Sequence, residues 1–348
     1  MSGQDFNFDQ LNEIDGPAVE IGSVLDKRFE VIRLIWSADG SSYLVQRVCP
    51  PRQGELGLLK LQSNSPLDED KQTSAIRFQQ EIVAALSVKH TNVIRIEETI
   101  RSGDIFGHVT EYVEGRSLLE IIDFQQPIPS EKVVTYLRQL CSGLDAIHRA
   151  GIIHRGLHPR NILVTSTDHV KIINFALVKL QNQKPVTKVG TVIGAVDYLA
   201  PEYVIEGIVD QRLDIYALGM IGYEMICGEI PFVSPDVVEM FTKRSTLDPA
   251  RPDSINSRCP AQLAEIIIKA THRDKNLRYQ QAGEMKRDLE RFASSSSSGK
   301  LTAVGASGSQ SLSNLPVVDR RSTIRRKRGV IETAMTMLGV PKRKKKRR

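Results

Sequence analysis

Eight residues, His154-Arg155-Gly156-Leu157-His158-Pro159-Arg160-Asn161, gather two imidazoles, two guanidiniums and an amide in one short segment, and a second amide, Asn174, follows in Asn174-Phe175-Ala176. A histidine titrates near neutrality, so His158 has the pKa class of a general base, although in an exposed loop a solvated or hydrogen-bonded side chain is its ordinary state. The amide oxygens of Asn161 and Asn174 are neutral and make weak ligands for a hard cation such as Mg²⁺, which favours carboxylates. Neither segment holds an Asp or Glu. Upstream, Lys60 ends an apolar run, where a lysine is commonly just solvated, and Glu81 lies in Arg77-Phe78-Gln79-Gln80-Glu81. Cys49, Cys141, Cys227 and Cys259 are far apart and form no CxxC pair, which argues against zinc and against a disulfide framework and fits a reducing, cytoplasmic compartment.

These residues need elements to position them. From Phe29, the runs FEVIRLIW, SSYLVQRV and GLLKLQ are rich in branched and aromatic residues, broken by Gly, Pro and Ser, and predict three antiparallel strands. Residues 70–88 set Ile76, Ile82, Val83 and Leu86 at helical spacing, and strand-like runs follow at 93–100 and 105–113. Beyond Glu114-Gly115 the pattern is helical: 130–150 with Ser130 as N-cap and Gly151 as terminator, 213–227, 260–271 and 279–292. The fold class is therefore α+β, a small β-rich lobe with one helix before a larger helical lobe. The expected domain spans 23–292, divided near 114/115, after an acidic leader at 1–22 and before a Ser/Gly-rich linker at 293–318 and a basic tail at 319–348.

Taken in order, these segments resemble the signature set of the Hanks-type Ser/Thr protein kinases, in wording closest to the bacterial branch. Leu58-Leu59-Lys60 looks like the third strand with its ATP-contacting lysine, Glu81 like the helix glutamate that pairs with it, and Thr110 like the residue gating the back of the cleft. HRGLHPRN resembles the catalytic loop and Asn174-Phe175-Ala176 the Asp-Phe-Gly segment. Ala200-Pro201-Glu202 is intact, Asp214 opens a DIYALG segment like the central helix of the large lobe, and Arg278 is placed to pair with Glu202. The resemblance implies a two-lobed kinase fold over residues 23–292.

It also implies losses. Phosphoryl transfer requires positioned phosphates, metal ions and a carboxylate that orients the attacking hydroxyl. Trp36, Ala38 and Ser41 replace the three glycines that let a loop approach the phosphates, leaving an ordinary hairpin turn as the favoured reading. Gly156 replaces the base aspartate, His158 a lysine common two residues on, Asn174 the metal aspartate and Ala195 an activation-segment threonine. The resemblance thus points to a pseudokinase acting as a scaffold or allosteric partner of an active kinase or a phosphopeptide-reading domain, the alternative being a weak or unorthodox kinase. Lys60, Glu81 and Asn161 leave ATP binding open, without Mg²⁺. In the family the Arg155 position often grips a phosphorylated activation-segment residue, for which Thr187 and Thr191 are the candidates, while packing alone is the equal alternative.

The net charge of +6 is misleading: residues 320–348 carry 13 Lys and Arg against Glu332 alone, leaving about −6 for the rest. Ile331, Ala334, Met335 and Leu338 share one helical face between two basic blocks. An anionic membrane surface, a nucleic acid, an import signal and a merely solvated tail are the competing readings, and Thr323 is a candidate phosphorylation site. Residues 1–16 lack an apolar core for a signal peptide, and nowhere do eighteen apolar residues run together.

Overall fold

The computed structural model describes residues 19–37, 40–61, 82, 85–102, 105–174, 196–234 and 236–299. Glu81, Thr187, Thr191, Ala195 and the basic tail lie outside the described residues, as do Ala38 and the side chain of Trp36.

The first lobe is a six-stranded antiparallel sheet of β1 (Val24–Leu25), β2 (Phe29–Ser37), β3 (Gly40–Arg47), β4 (Leu56–Leu61), β5 (Ile96–Ser102) and β6 (Ile105–Glu111), in the order β1-β2-β3-β4-β6-β5. Alternation puts Phe29, Val31, Tyr43, Val45, Leu59 and Val109 on one buried face, and Val19 joins them, so the packed lobe begins before the expected residue 23. The β2–β3 ladder shifts register once, between Val31 and Arg33, and then runs on to Trp36↔Ser41 and Ser37↔Gly40. β4 and β6 approach closely at Gly107, where a Cβ would stand 2.5 Å from the Lys60 carbonyl oxygen. That register pairs Lys60 with His108 and Leu58 with Thr110, placing all four on the strands that back the cleft. Of the helix expected over 70–88, five residues are described: Ile82, Ala85 and Leu86 are helical, while Ser87 and Val88 already lie in the turn beyond it.

The second lobe comprises α1 (Leu118–Phe124), α2 (Ser130–Arg149), α3 (Pro201–Glu206), α4 (Arg212–Cys227), α5 (Val237–Thr246), α6 (Pro252–Ile255), α7 (Ala261–Ala270) and α8 (Ala282–Gly299). A small sheet joins them, made of β7 (Arg116–Ser117), β8 (Ile162–Val164) and β9 (Val170–Ile172). Every residue from Leu213 to Ile226 is buried, so α4 is the apolar axis of the lobe, packed against on all sides. Gly219 permits this, since a Cβ there would lie 2.7 Å from Thr271 Cγ2 on the residue that follows α7.

Three sequence expectations are corrected. Ser130 is the first helical residue, preceded by Pro129 at the N-cap, and its hydroxyl donates to Arg258 O instead of capping. The last helix continues through the serines to Gly299, beyond the expected end at Phe292, since serine tolerates a helix that packing has already started. His158 is buried, not in an exposed loop. Among the described residues no helix is long and apolar enough to cross a membrane.

A catalytic-loop site bridged by two amides

Asp214, in the first turn of α4, fixes the loop that carries the candidate residues. Its Oδ2 accepts the His154 backbone N–H at 2.7 Å and its Oδ1 the Arg155 N–H at 2.8 Å, while His148 Nε2 of α2 donates to Oδ2 at 2.8 Å. The carboxylate is fully buried and spent on three donors. Those bonds hold Arg155 at φ 57°, a left-handed conformation that costs a non-glycine residue free energy and persists only where surroundings enforce it. His154 is buried too, and its ring donates from Nε2 to Ile173 O at 3.1 Å. Burial pushes its pKa down, with Asp214 opposing the shift.

The loop then turns through a short 3-10 segment, Pro159–Asn161, into β8, and the β8–β9 hairpin returns the chain to Asn174. Ile173 N donates to Asn161 O at 2.9 Å, which sets the two asparagines side by side. Asn174 Nδ2 donates to Asn161 Oδ1 at 2.8 Å, and Asn161 Nδ2 donates to Gly156 O at 2.9 Å and to His158 Nε2 at 3.0 Å. From the other lobe, the Lys60 ammonium donates to Asn174 Oδ1 at 3.2 Å. One chain of hydrogen bonds therefore links Lys60, Asn174, Asn161 and His158. Lys60, Asn161 and His158 are all buried.

The imidazole of His158 also faces the Tyr198 ring, centroids 6.3 Å apart. A ring nitrogen that accepts from Asn161 is engaged within this network. At Gly156 a Cβ would meet nothing closer than His154 O at 3.9 Å, so the position has room for a side chain it lacks. Behind the cleft, Thr110 is buried beside His108, whose pKa is pushed down to about 4 by burial and by the Lys60 charge.

The donor set does not fit Mg²⁺. The two positions that would have to bind it are neutral amides turned toward each other, and a hard divalent cation that keeps its waters is held chiefly by carboxylates.

Below the loop, Arg278 forks Glu202 with bonds of 2.7 and 2.8 Å, both side chains buried, and the Arg278 guanidinium lies 4.7 Å from the centroid of the Tyr216 ring. This pair braces α3 against the segment before α8. The described positions Lys60, Arg155, Gly156, His158, Asn161 and Asn174 converge on one cleft, while Glu202, Asp214 and Arg278 buttress it. His148 was not singled out in the sequence: a histidine inside an amphipathic helix carries no signal of the carboxylate it meets 66 residues on.

Residues 39–288 match the protein kinase domain family. The chain belongs to the Hanks-type Ser/Thr protein kinases. It is 31% identical over 274 residues to a probable serine/threonine-protein kinase of Clostridium perfringens, covering 78% of this chain and 39% of that protein. It is 29% identical over 272 residues to the serine/threonine-protein kinase PrkC of Bacillus subtilis (78% and 41%) and 31% identical over 271 residues to PknL of Mycobacterium tuberculosis (78% and 67%). The kinase-like chain thus spans about two fifths of the length of the first two relatives.

Proposed function

We propose that this kinase-fold chain works by binding and not by phosphoryl transfer. The observation that carries the reading is the Lys60–Asn174–Asn161 network, in which the metal position is a neutral amide already bonded to its neighbour, beside a glycine where a base would stand. A general base contributes about 10²–10⁴ in rate. A metal adds several kcal/mol of charge stabilisation, on the order of 10² or more. Set against kinase turnovers of about 1–100 s⁻¹, losing both leaves on the order of 10⁻³ s⁻¹ or less. The parts retained, Asp214 with its strap and Glu202 with Arg278, hold shape. On this reading the two-lobed domain, residues 23–292 extended by the helix to Gly299, is a cytoplasmic scaffold or allosteric partner for an active Ser/Thr kinase or a phosphopeptide-reading domain. Residues 320–348 serve as an electrostatic tether to an anionic membrane surface, with nucleic acid as the competing target.

A second reading is a weak or unorthodox ATP-dependent Ser/Thr kinase. In its favour, the relatives above are all named as serine/threonine-protein kinases, and Lys60 and Asn161 are retained. A thermal-shift titration of the full chain with ATP, with and without Mg²⁺, separates the two, because a ligand that binds the folded state raises its melting temperature. No shift, or a shift indifferent to metal, supports the binding reading. A shift that requires Mg²⁺, followed by transfer of labelled phosphate to protein, establishes the second.

A further inference from the structure

The first lobe carries an exposed apolar strip at the β1 edge of its sheet. Gly22 N donates to Val31 O at 2.7 Å and Val31 N to Ser23 O at 2.9 Å, so the chain from Ile21 to Val24 runs antiparallel beside β2. Within this ribbon Ile21, Val24, Ile32 and Leu34 are 62, 51, 36 and 42% exposed. Its exposed charges are unbalanced, since Lys27 and Arg33 are cations and Glu20 is the one acid. Asp26 and Lys27, both at positive φ, form the two-residue turn between β1 and β2, placing Lys27 at its tip. Arg28 beside it pairs with Asp26 and Glu98, whereas among the described residues neither Lys27 nor Arg33 makes an ion pair.

Apolar side chains gathered beside unpaired cations call for an acidic segment that also carries apolar groups, and the chain itself holds one. Residues 1–18 contain Asp5, Asp9, Glu13 and Asp15 and no Lys or Arg, interleaved with Phe6, Phe8, Leu11 and Ile14. They join the lobe at Val19, which is buried in the sheet core with its N–H on the Tyr43 hydroxyl at 3.4 Å, two residues before the strip begins at Ile21. We propose that this acidic leader docks on the ribbon in cis, with Phe6 and Phe8 covering the strip while the leader carboxylates face Lys27 and Arg33. Reach permits it, since an extended chain gains about 3.3 Å per residue and Phe8 lies eleven residues before Val19. Gly16-Pro17, a turn-forming pair, stands where the chain has to double back. Covalent continuity favours the leader over a second copy, because a tethered segment competes at an effective concentration on the order of millimolar. Charge favours it over residues 320–348, whose net sign is that of Lys27 and Arg33. The inference stands apart from the catalytic reading, since the strip lies outside the cleft network.

The test is zero-length carbodiimide crosslinking of the full chain, which joins a carboxylate to a lysine amine in contact with it. Products are read by peptide mass spectrometry on an equal mixture of isotope-labelled and unlabelled protein. The expected result is a link from Lys27 to a leader carboxylate, Asp5, Asp9, Glu13 or Asp15, within chains of one isotope composition. Phe6→Ser with Phe8→Ser keeps every carboxylate, so chance reactivity would survive it, yet it should lower the Lys27 links about tenfold or more as the apolar burial is lost. Ile32→Ser with Leu34→Ser, on the other side of the contact, should do the same. Leader carboxylates linked only to tail lysines such as Lys342, or links that join only labelled to unlabelled chains, overturn the proposal. So does a Lys27 link that both double variants leave unchanged, or the absence of any such link.

Discussion

Asn174 Nδ2 and Asn161 Oδ1 lie 2.8 Å apart, a donor and an acceptor satisfying each other in the place where two oxygen ligands would face a cation. Replacing Asn174 by Asp puts a carboxylate 3.2 Å from the Lys60 ammonium at the same heavy-atom position and removes the N–H that holds Asn161 Oδ1. The Asn161 amide oxygen is then free to turn outward beside the new carboxylate.

The expected outcome is that Asn174→Asp confers a Mg²⁺-dependent thermal shift with ATP, while phosphate transfer stays at the blank until Gly156→Asp is added. Gly156 accepts a Cβ, which would meet nothing closer than His154 O at 3.9 Å. Transfer in the double variant should exceed that of either single variant by about 10²-fold or more, the range of general-base assistance. Equal transfer by wild type and double variant, read with labelled ATP, would contradict this account of the cleft.

The Glu202–Arg278 pair is a different kind of contact, fully enclosed and bidentate. Glu202→Gln leaves the Arg278 guanidinium buried without its counter-charge. Breaking one side of a buried pair costs about 3–5 kcal/mol. Urea unfolding followed by circular dichroism should show the midpoint falling with the slope m unchanged, whereas a loss under 1 kcal/mol would mean the pair is not structural.

How much of this was legible in the residues follows from how each is fixed. Glu202, Asp214 and Arg278 lie in segments with strong local wording, and the strand register that brings Lys60 to the cleft follows from alternation in β4. The burial of His158 was not legible, because it depends on Tyr198, brought in by a turn 40 residues downstream. Nor was the burial of Arg244: an arginine in an amphipathic helix reads as solvated until the neighbouring elements close over it. Packing between distant segments, unlike periodicity, leaves no trace in one sequence.

His108 gives a pH signature. Its folded pKa of about 4 lies below the ordinary histidine value, from burial first and then Lys60. The unfolded chain therefore binds a proton that the folded chain refuses between those values, and stability falls as pH drops below about 6.5. His154, also depressed by burial, acts in the same direction. Between pH 7 and pH 5 the His108 share is about 2 kcal/mol. His108→Leu should flatten the stability–pH curve by that amount while His154 keeps part of the slope, and an unchanged slope would rule out a neutral, buried His108.

Asp214 is where catalytic-loop geometry and lobe stability meet. Its two oxygens accept from His154 N, Arg155 N and His148 Nε2, so Asp214→Ala strands three buried donors at once. An unsatisfied buried donor costs about 1–3 kcal/mol. Arg155, no longer held at φ 57°, would relax toward the right-handed side. The consequence should be local before it is global: hydrogen exchange at the His154 and Arg155 amides should quicken on the order of 10²-fold, as about 3 kcal/mol of protection is lost, while the β4 and β6 amides of the other lobe keep theirs. His148→Phe removes one donor and leaves the two backbone bonds, so it should speed exchange far less. If both variants speed it equally, the imidazole and not the backbone strap sets the position of the loop.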